Sequence, residues 1–436
     1  MPLKASYHTL GCKLNFSETA TIEAMLEKKG IQKVAKGEAP DLSVVNTCSV
    51  TGNADKKGRQ LIRSLATKFP DASIIVTGCY AQIKPQEVSQ LPNVVLVLGS
   101  NEKLKISQYI ESWLQNRGKI VETTPPLSIS EFIPSCERGD RTRYFLKVQD
   151  GCDYFCTYCT IPYARGRSRS GKISDLVNLA KEVADKGGKE VVITGVNIGT
   201  FGKDHQEDFF SLIKALDKIE GIERYRISSI EPNLLTDEII KWVATESRAF
   251  MPHFHIPLQS GSDKVLKLMN RRYDTSLFAS RINKIRELIP HAFIGVDIIA
   301  GARGETSDEW ERSYSFAQSL DVEKFHAFPY SERQGTKALL LGESVPQNER
   351  YARVAKLNAL SEEKTRLFIQ KNLGNIRKVL WERPMGKATM HGLTDNYIRI
   401  EAPLVNDLIN KVSEVKIISL KPGSSEIAIG EHIKEI

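Results

Sequence analysis

Residues 151–171 read GCDYFCTYCTIPYARGRSRSG, and three cysteines, Cys152, Cys156 and Cys159, stand in a C-x3-C-x2-C pattern. Soft thiolates are the natural ligands of iron–sulfur clusters, and three on one short loop can wrap one face of a cubane. Three ligands rather than four leave one iron open, as catalytic metal sites keep one position for substrate. A zinc site with a distant fourth ligand, or three unrelated cysteines, are the competing readings. Tyr158, just before the third cysteine, stands where an adenine ring can lie. Taken alone, it reads first as a buried structural tyrosine.

The stretch follows an apolar run, YFLKVQ at 144–149, which opens a βα series. Further strand-like runs are EVVITGV (190–196), YRISSI (225–230), HFHIPLQ (253–259), FIGVDIIAG (293–301) and EKFHAFPY (323–330). Helical patterns such as SDLVNLAKEVADKG (174–187) and SLFASRINKIRELI (276–289) separate them. Six such units predict an open partial (β/α)6 barrel over 143–370, with its function at the C-terminal ends of the strands.

Towards the N-terminus the cysteines are dispersed. ASYHTL precedes Gly11-Cys12, DLSVVNT precedes Cys48, and ASIIVTG, ending in Gly78, precedes Cys79. Helical segments such as SETATIEAMLEKKG (17–30) alternate with these runs, which predicts an α/β domain with a mostly parallel sheet over 1–120. In such a sheet the strand ends share one edge, so three strand-end cysteines can converge there. Gly11 and Gly78 suggest tight turns that admit a bulky object close to the backbone. The alternative is three isolated buried cysteines acting as small hydrophobes. Residues 121–142, VETTPPLSISEFIPSCERGDRT, hold three prolines and little periodicity, and read as a linker with Cys136 as an ordinary cysteine. Beyond the long helical stretch 347–374, short strand-like runs separated by turns predict a small antiparallel β-barrel over 371–436.

The 436 residues call for two to three domains, and 41% hydrophobic with 26% charged residues is a soluble globular composition. No apolar run reaches the roughly 18 residues of a membrane span, and the N-terminus lacks a signal-peptide core, so a cytoplasmic location is expected. Seven cysteines, an odd number in a reducing compartment, argue against a disulfide framework. The net charge of +8 permits a polyanionic partner without requiring one.

The cysteine loop with its extension to Gly171 resembles the radical SAM (S-adenosylmethionine) methylthiotransferase family. GCKLNFSET (11–19), NTCSVTGNADKKGRQLIR (46–63) and TGCYAQ (77–82) look like that family's auxiliary-cluster domain. HIPLQSGSDKVLKLMNRRY (255–273) and FPYSERQGTKA (328–338) look like its barrel signatures, and VLWE with GLTDNYIRI (392–400) like its RNA-binding TRAM domain. TYCTIPYARGRSRS, NTCSVT and GCYAQ look most like the branch acting on threonylcarbamoyladenosine in tRNA. Other branches modify isopentenyladenosine in tRNA or an aspartate of a ribosomal protein. One departure stands at Gly301-Ala302-Arg303-Gly304-Glu305-Thr306, where the family usually carries a proline at the third position.

The resemblance implies two 4Fe-4S clusters. One, on Cys152, Cys156 and Cys159, would bind SAM through its open iron and cleave it to a 5′-deoxyadenosyl radical. The other, on Cys12, Cys48 and Cys79, would hold the sulfur to be transferred. Two SAM would be consumed per turnover, one methylating that sulfur and one removing hydrogen from carbon 2 of the adenine at position 37, next to the anticodon. Implied partners are a tRNA anticodon stem-loop, a flavodoxin- or ferredoxin-like reductant and a sulfur donor, with no membrane. Candidate SAM contacts at predicted strand ends are Gly195, Asn197, Ser229, Glu231, Gln259 and Asp297, besides Tyr158. Arg165 and Arg167, in a basic run with Arg169 and Lys172, would meet tRNA phosphates. Arg271 and Arg272 would pair with a carboxylate of SAM or of the threonyl group. His253 and His255 share one side of a strand and are expected to pack or hydrogen-bond rather than ligate metal.

Overall fold

The computed structural model describes residues 2–35, 37–382, 384 and 388–435. Its N-terminal part is a six-stranded parallel sheet in the order Gln32–Lys33, Lys4–Thr9, Leu42–Thr47, Ser73–Gly78, Val94–Leu98, Ile120–Glu122. The central strand Leu42–Thr47 is buried at every residue, as a parallel strand covered on both faces must be. Val44, Ile75 and Leu96 face Ile22 and Leu26 of helix Lys13–Lys28 and Ile110 of helix Ile106–Asn116. Val45, Val76 and Val97 point the other way, onto Ile62 and Leu65 of helix Gly52–Lys68. Thr51 caps that helix, its hydroxyl accepting from the Ala54 N–H at 3.1 Å.

The expected linker is more ordered than its prolines suggested. Ile120–Glu122 is the sixth strand of the N-terminal sheet, pairing with Leu96–Leu98, and Ser135–Glu137 is an antiparallel edge strand against Tyr144–Lys147. Both are only three residues long, too short for alternation to register as a pattern, and the prolines lie between them. Cys136 is buried there, opposite Leu146.

The central part contains the six expected strands. Tyr144–Lys147, Glu190–Thr194 and Arg224–Ile227 form one parallel run, and His253–Gln259, Phe293–Ala300 and Lys324–Pro329 another. Parallel bridges Tyr225 to Phe250 and Ser229 to His255 join the two into a partial barrel. One apolar core unites the barrel interior with its outer helices. Helix Gln347–Lys371 lies along the last strand. Its Ser361 hydroxyl accepts from the Phe325 N–H at 2.9 Å, and its Thr365 hydroxyl donates to the Glu323 carbonyl at 2.8 Å.

The C-terminal segment closes into a five-stranded barrel in the order Ile376–Trp381, Thr389–Thr394, Arg399–Pro403, Ile427–Glu435, Val412–Leu420, the small barrel expected, but not wholly antiparallel: Arg399–Pro403 and Ile427–Glu435 pair in parallel, because the last strand returns beside the third rather than beside its neighbour in sequence alone. It docks under the central strands through buried charge. Arg224 donates to the carbonyls of Leu393 (2.9 Å) and Thr394 (2.8 Å), and Arg226 to those of Thr394 (2.7 Å) and Asp395 (3.0 Å). Glu190 anchors both guanidinia at 2.8 and 2.9 Å, with Arg143 at 3.8 Å. Although burial opposes its charge, Arg226, Arg224 and Arg143 hold the Glu190 carboxyl down at about 2.

Glu190→Gln should therefore cost about 3–5 kcal/mol, the usual result of stripping the partner from buried cations. Glu190 has a folded value below its ordinary 4.5, so its stabilisation is complete above pH 4.5 and is lost as pH falls towards 2. Urea midpoints at pH 7 and pH 3 check this. The variant should be less stable at pH 7, with a flatter acid limb, and equal midpoints at pH 7 would refute it.

Candidate active site

The cysteine loop leaves the first barrel strand through Gln149-Asp150 and turns at Gly151 (φ +69). A Cβ there would lie 1.9 Å from the Arg167 carbonyl, so only glycine lets the two chain segments pass. Both ends are tied down. The Cys152 N–H donates to the Gly166 carbonyl (3.0 Å), the Thr157 N–H to the Met269 carbonyl (3.1 Å), and the Ala338 N–H to the Thr157 carbonyl (2.8 Å). The three sulfurs are ringed by donors. Cys152 Sγ faces the Tyr154 N–H at 3.4 Å, Cys159 Sγ the Ile161 N–H at 3.4 Å, and Cys156 Sγ the Arg271 guanidinium at 3.2 Å. Burial pushes the Cys159 thiol up to about 12, with Cys156 and Cys152 adding to the rise and the Ile161 N–H opposing it. Donors aimed at each sulfur suit thiolates held by a metal, and the loop fits an iron–sulfur cluster.

The dispersed cysteines converge at the C-terminal edge of the N-terminal sheet. Cys12 stands at the start of helix Lys13–Lys28 and Cys79 opens helix Cys79–Ile83. Gly78 (φ +92) allows that turn, since a Cβ on it would sit 2.3 Å from the Thr47 carbonyl. Cys48 reaches across to the Cys12 loop: a Cβ on Gly11 would lie 2.7 Å from the Cys48 Cβ and 3.1 Å from its sulfur. Burial pushes the Cys48 thiol up to about 12, with Cys79 and Cys12 adding to it, so the three thiols feel one another. The Ser49 hydroxyl accepts from Arg333 at 2.7 Å and donates to Asp55 at 2.7 Å, pinning this edge to the barrel loop.

Between the two trios lies a buried network. Arg165, from the helix Ile161–Arg165 that ends the cysteine loop, pairs with Glu18 and Asp150, both at 3.0 Å, and donates to Asn15 at 2.6 Å. Glu18 also binds Lys103 (2.6 Å) and Lys147 (3.2 Å), and Asp150 binds Lys147 (2.9 Å) and Arg169 (3.3 Å). Burial alone would raise Glu18, yet Arg165, Lys103 and Lys147 hold it far below the ordinary carboxylate range. Burial and Arg165 bring Lys103 down to about 8 despite Glu18.

Residues 4–99 match the uncharacterized protein family UPF0004 and residues 146–317 the radical SAM superfamily. Over 421 residues the chain is 37% identical to "Threonylcarbamoyladenosine tRNA methylthiotransferase MtaB" of Bacillus subtilis, a match covering 95% of this chain and 93% of that one. The chain belongs to the radical SAM tRNA methylthiotransferases. It is also 32% identical to "tRNA-2-methylthio-N(6)-dimethylallyladenosine synthase" of Clostridium tetani, over 95% of this chain and 92% of that one. The radical SAM methyltransferase TsrM of Kitasatospora setae shares the fold, with a TM-score of 0.54 at 13% identity, covering 76% of this chain and 72% of TsrM.

Such a methylthiotransferase has to house SAM and an iron–sulfur cluster. Tyr158 is half-buried against Val265, Met269 and Ala302, its hydroxyl accepting from Arg271 at 3.4 Å. A Cβ on Gly195 would sit 2.8 Å from the Gln149 carbonyl, and the Asn197 amide reaches Cys152 Sγ at 3.9 Å. The buried side-chain oxygens of Asn197 and Asn233 have no hydrogen-bond donor among the described residues, which leaves two acceptors that fit a donor-bearing ligand. Glu231 pairs with Arg271, Asp297 lies 2.8 Å from His255, and Gln259 bulges its strand with φ +66. Ser229 bridges to His255. His253 stacks on Tyr397 with ring centroids 4.0 Å apart, and His255 on His326 at 5.1 Å, the packing and hydrogen bonding expected of them.

The basic residues divide differently from the sequence reading. Arg165 is 1% exposed and wholly engaged by Glu18, Asp150 and Asn15, so it does not meet tRNA phosphates. Arg169 is buried with Asp150. Arg167 stays exposed, 3.5 Å from Asp153, and Arg272 lies over the Tyr154 ring at 3.9 Å. Arg271 is neutralised by Glu231 rather than held free for a ligand carboxylate. Arg303, the departure from the family pattern, donates to the Leu341 carbonyl and to Glu332, each at 3.0 Å, which pins its loop without a proline. Sequence reasoning missed Gln149, whose side-chain Oε1 accepts from the Val196 (3.0 Å) and Asn197 (2.8 Å) N–H groups, and Glu18. A lone glutamate on an amphipathic helix carries no signal of burial.

Glu18→Gln should loosen the N-terminal part from the barrel, because Lys103, Lys147 and Arg165 lose their shared anion. Limited proteolysis should cut the segment 123–134 at least about tenfold faster than in the parent, the effect of roughly 1.4 kcal/mol of local opening. An unchanged cleavage rate would show that the network is not what joins the two parts.

Proposed function

We propose that this enzyme converts N6-threonylcarbamoyladenosine, next to the anticodon at position 37 of tRNA, to its 2-methylthio derivative, using two iron–sulfur clusters. The observation that carries this reading is the pairing of two cysteine trios across the Arg165 network. Cys152, Cys156 and Cys159 hold one cluster and Cys12, Cys48 and Cys79 the other. When bound, the first supplies the electron that splits SAM, and the second the sulfur that reaches carbon 2 of the adenine, at two SAM per turnover.

The chain's own residues do the rest. Arg271 steadies Cys156 Sγ through a charge-assisted hydrogen bond and holds Tyr158 and Glu231 in place. Burial pushes the Glu231 carboxyl up against the pull of Arg271. Asn197 and Asn233 offer acceptors to the amino group or ribose of SAM, with Gln149 orienting Asn197; Gly195, Ser229 and Gln259 line the strand ends, and Asp297 stands deeper, mid-strand beside His255. Arg167 and Arg272, exposed beside the cysteine loop, contact tRNA phosphates.

The organisation that serves this activity is an auxiliary-cluster domain, a radical SAM barrel and a TRAM domain that binds RNA. The expected partners are a flavodoxin- or ferredoxin-like reductant and a sulfur donor, in the cytoplasm. The substrate assignment draws on the 37% identity to the threonylcarbamoyladenosine enzyme against 32% to the dimethylallyladenosine enzyme. Isopentenyladenosine tRNA and a ribosomal-protein aspartate are the alternatives.

Anaerobically purified protein should hold about eight iron atoms per chain, the content of two four-iron clusters; about four would contradict the second site. Cys156→Ala should abolish 5′-deoxyadenosine release, while Cys48→Ala should keep it, lose about half the iron and stop sulfur insertion. Incubation with SAM and tRNA carrying either modified adenosine, followed by nucleoside mass spectrometry, tests the substrate. Methylthiolation of the isopentenyl nucleoside alone would overturn the assignment.

A further inference from the structure

A cavity of about 360 Å³ opens at the N-terminal ends of the strands His253–Gln259, Phe293–Ala300 and Lys324–Pro329, where the C-terminal barrel meets them. That is the size of a site for a small ligand or a ligand's side group. Arg143 borders it from the turn before the first strand, Lys324 from the last, and Arg399 from the C-terminal barrel. Lys13, the residue after Cys12, enters it from the N-terminal part. The carboxylates in its wall are Glu382 and Glu426, and both are taken: Glu382 pairs with Arg143 at 3.0 Å and Glu426 with Lys324 at 2.7 Å. Four cations against two carboxylates leave Lys13 and Arg399 with no ion-pair partner among the described residues. Asp297, the next carboxylate inward, is occupied by His255 at 2.8 Å. Burial holds the imidazoles of His253 and His326 below their ordinary range, His326 at about 4, so neither adds charge at neutral pH.

The cavity adjoins the reaction space on two sides. Lys13 ties it to the Cys12 trio by one peptide bond. From His255 the path runs through Asp297 to Glu231, whose ionisation Asp297 influences, then to Arg271 and Cys156 Sγ. An adenine presented with carbon 2 towards the trios carries its N6 substituent on the ring carbon two positions away. A threonylcarbamoyl group ends in a carboxylate and a hydroxyl, whereas an isopentenyl group ends in methyls. An enclosed ammonium without a counter-ion is costly until an anion arrives, and an apolar group would leave it so.

We propose that this cavity receives the carboxylate at the end of the N6 substituent, with Lys13 as its counter-charge and Arg399 at the mouth. It rests on the substrate reading above and names the residues that select the carboxylate-bearing substituent over the apolar one.

The test uses the cluster-loaded enzyme and fluorescent anticodon stem-loops carrying threonylcarbamoyladenosine or the same group with its carboxylate masked as a neutral amide. Anisotropy titrations should show the parent enzyme binding the carboxylate form about tenfold or more tightly, the discrimination one charge-assisted hydrogen bond confers. Lys13→Met should erase that preference and Lys13→Arg keep it. Arg399→Gln, in the C-terminal barrel, should reduce it. Equal affinity of the parent for the two RNAs, or a preference surviving both Lys13→Met and Arg399→Gln, would overturn the proposal. If the parent methylthiolates the threonylcarbamoyl stem-loop but binds both forms equally, only the cavity assignment fails. If it acts on the isopentenyl stem-loop alone, the substrate reading fails with it.

Discussion

Arg165 between Glu18 and Asp150 is the interaction on which the geometry of the site depends. The two cysteine trios grow from separate sheets, and nothing in either sheet dictates their spacing. A buried charge network is poor at adding stability, since apolar groups of the same shape do as well. It is effective at demanding one arrangement, because each cation and carboxylate is costly anywhere except beside its partners. Glu18 comes from the helix that starts at Cys12, and Arg165 from the helix that ends the Cys152–Cys159 loop. The network thus sets the trios in register by their own flanking elements.

The C-terminal barrel is docked by the same device. Arg224 and Arg226 satisfy carbonyls at the Leu393–Asp395 turn, and Glu190 neutralises them from the barrel side. Tyr397 enters the same space with φ +67, stacks on His253 and lies under Arg226. Burial favours the neutral phenol, yet Lys13, Arg143 and Arg226 together pull its ionisation down. All three parts of the chain therefore meet around one cation-rich opening at the N-terminal ends of the barrel strands.

The strands and the cysteine loop were legible because their signals are local. Each barrel strand is an apolar run bounded by turn residues, and His253–Gln259 coincides with the run read from sequence. The dispersed cysteines were half legible: their strand-end positions showed, but their convergence depends on strand order, with Leu42–Thr47 lying between the other two. Charged residues were the least legible. Arg165 and Arg167 are two positions apart in one basic run, yet one is sealed inside and the other in solvent, because a carboxylate from residue 18 arrives from another part of the chain. Lys13 went unnoticed for the same reason, since its surroundings come from residues near 143, 324 and 399.

Helix Gln347–Lys371 belongs to two bodies at once. Its middle is stitched to the last barrel strand through Ser361 and Thr365, and its end, at Phe368 and Ile369, fills the core of the C-terminal barrel beside Val379 and Trp381. The terminal barrel is thus not a detachable module. A chimaera that exchanged C-terminal barrels between relatives by cutting near residue 371 would leave both halves with an unfilled core, and a working graft would have to carry the whole helix and its complementary strand.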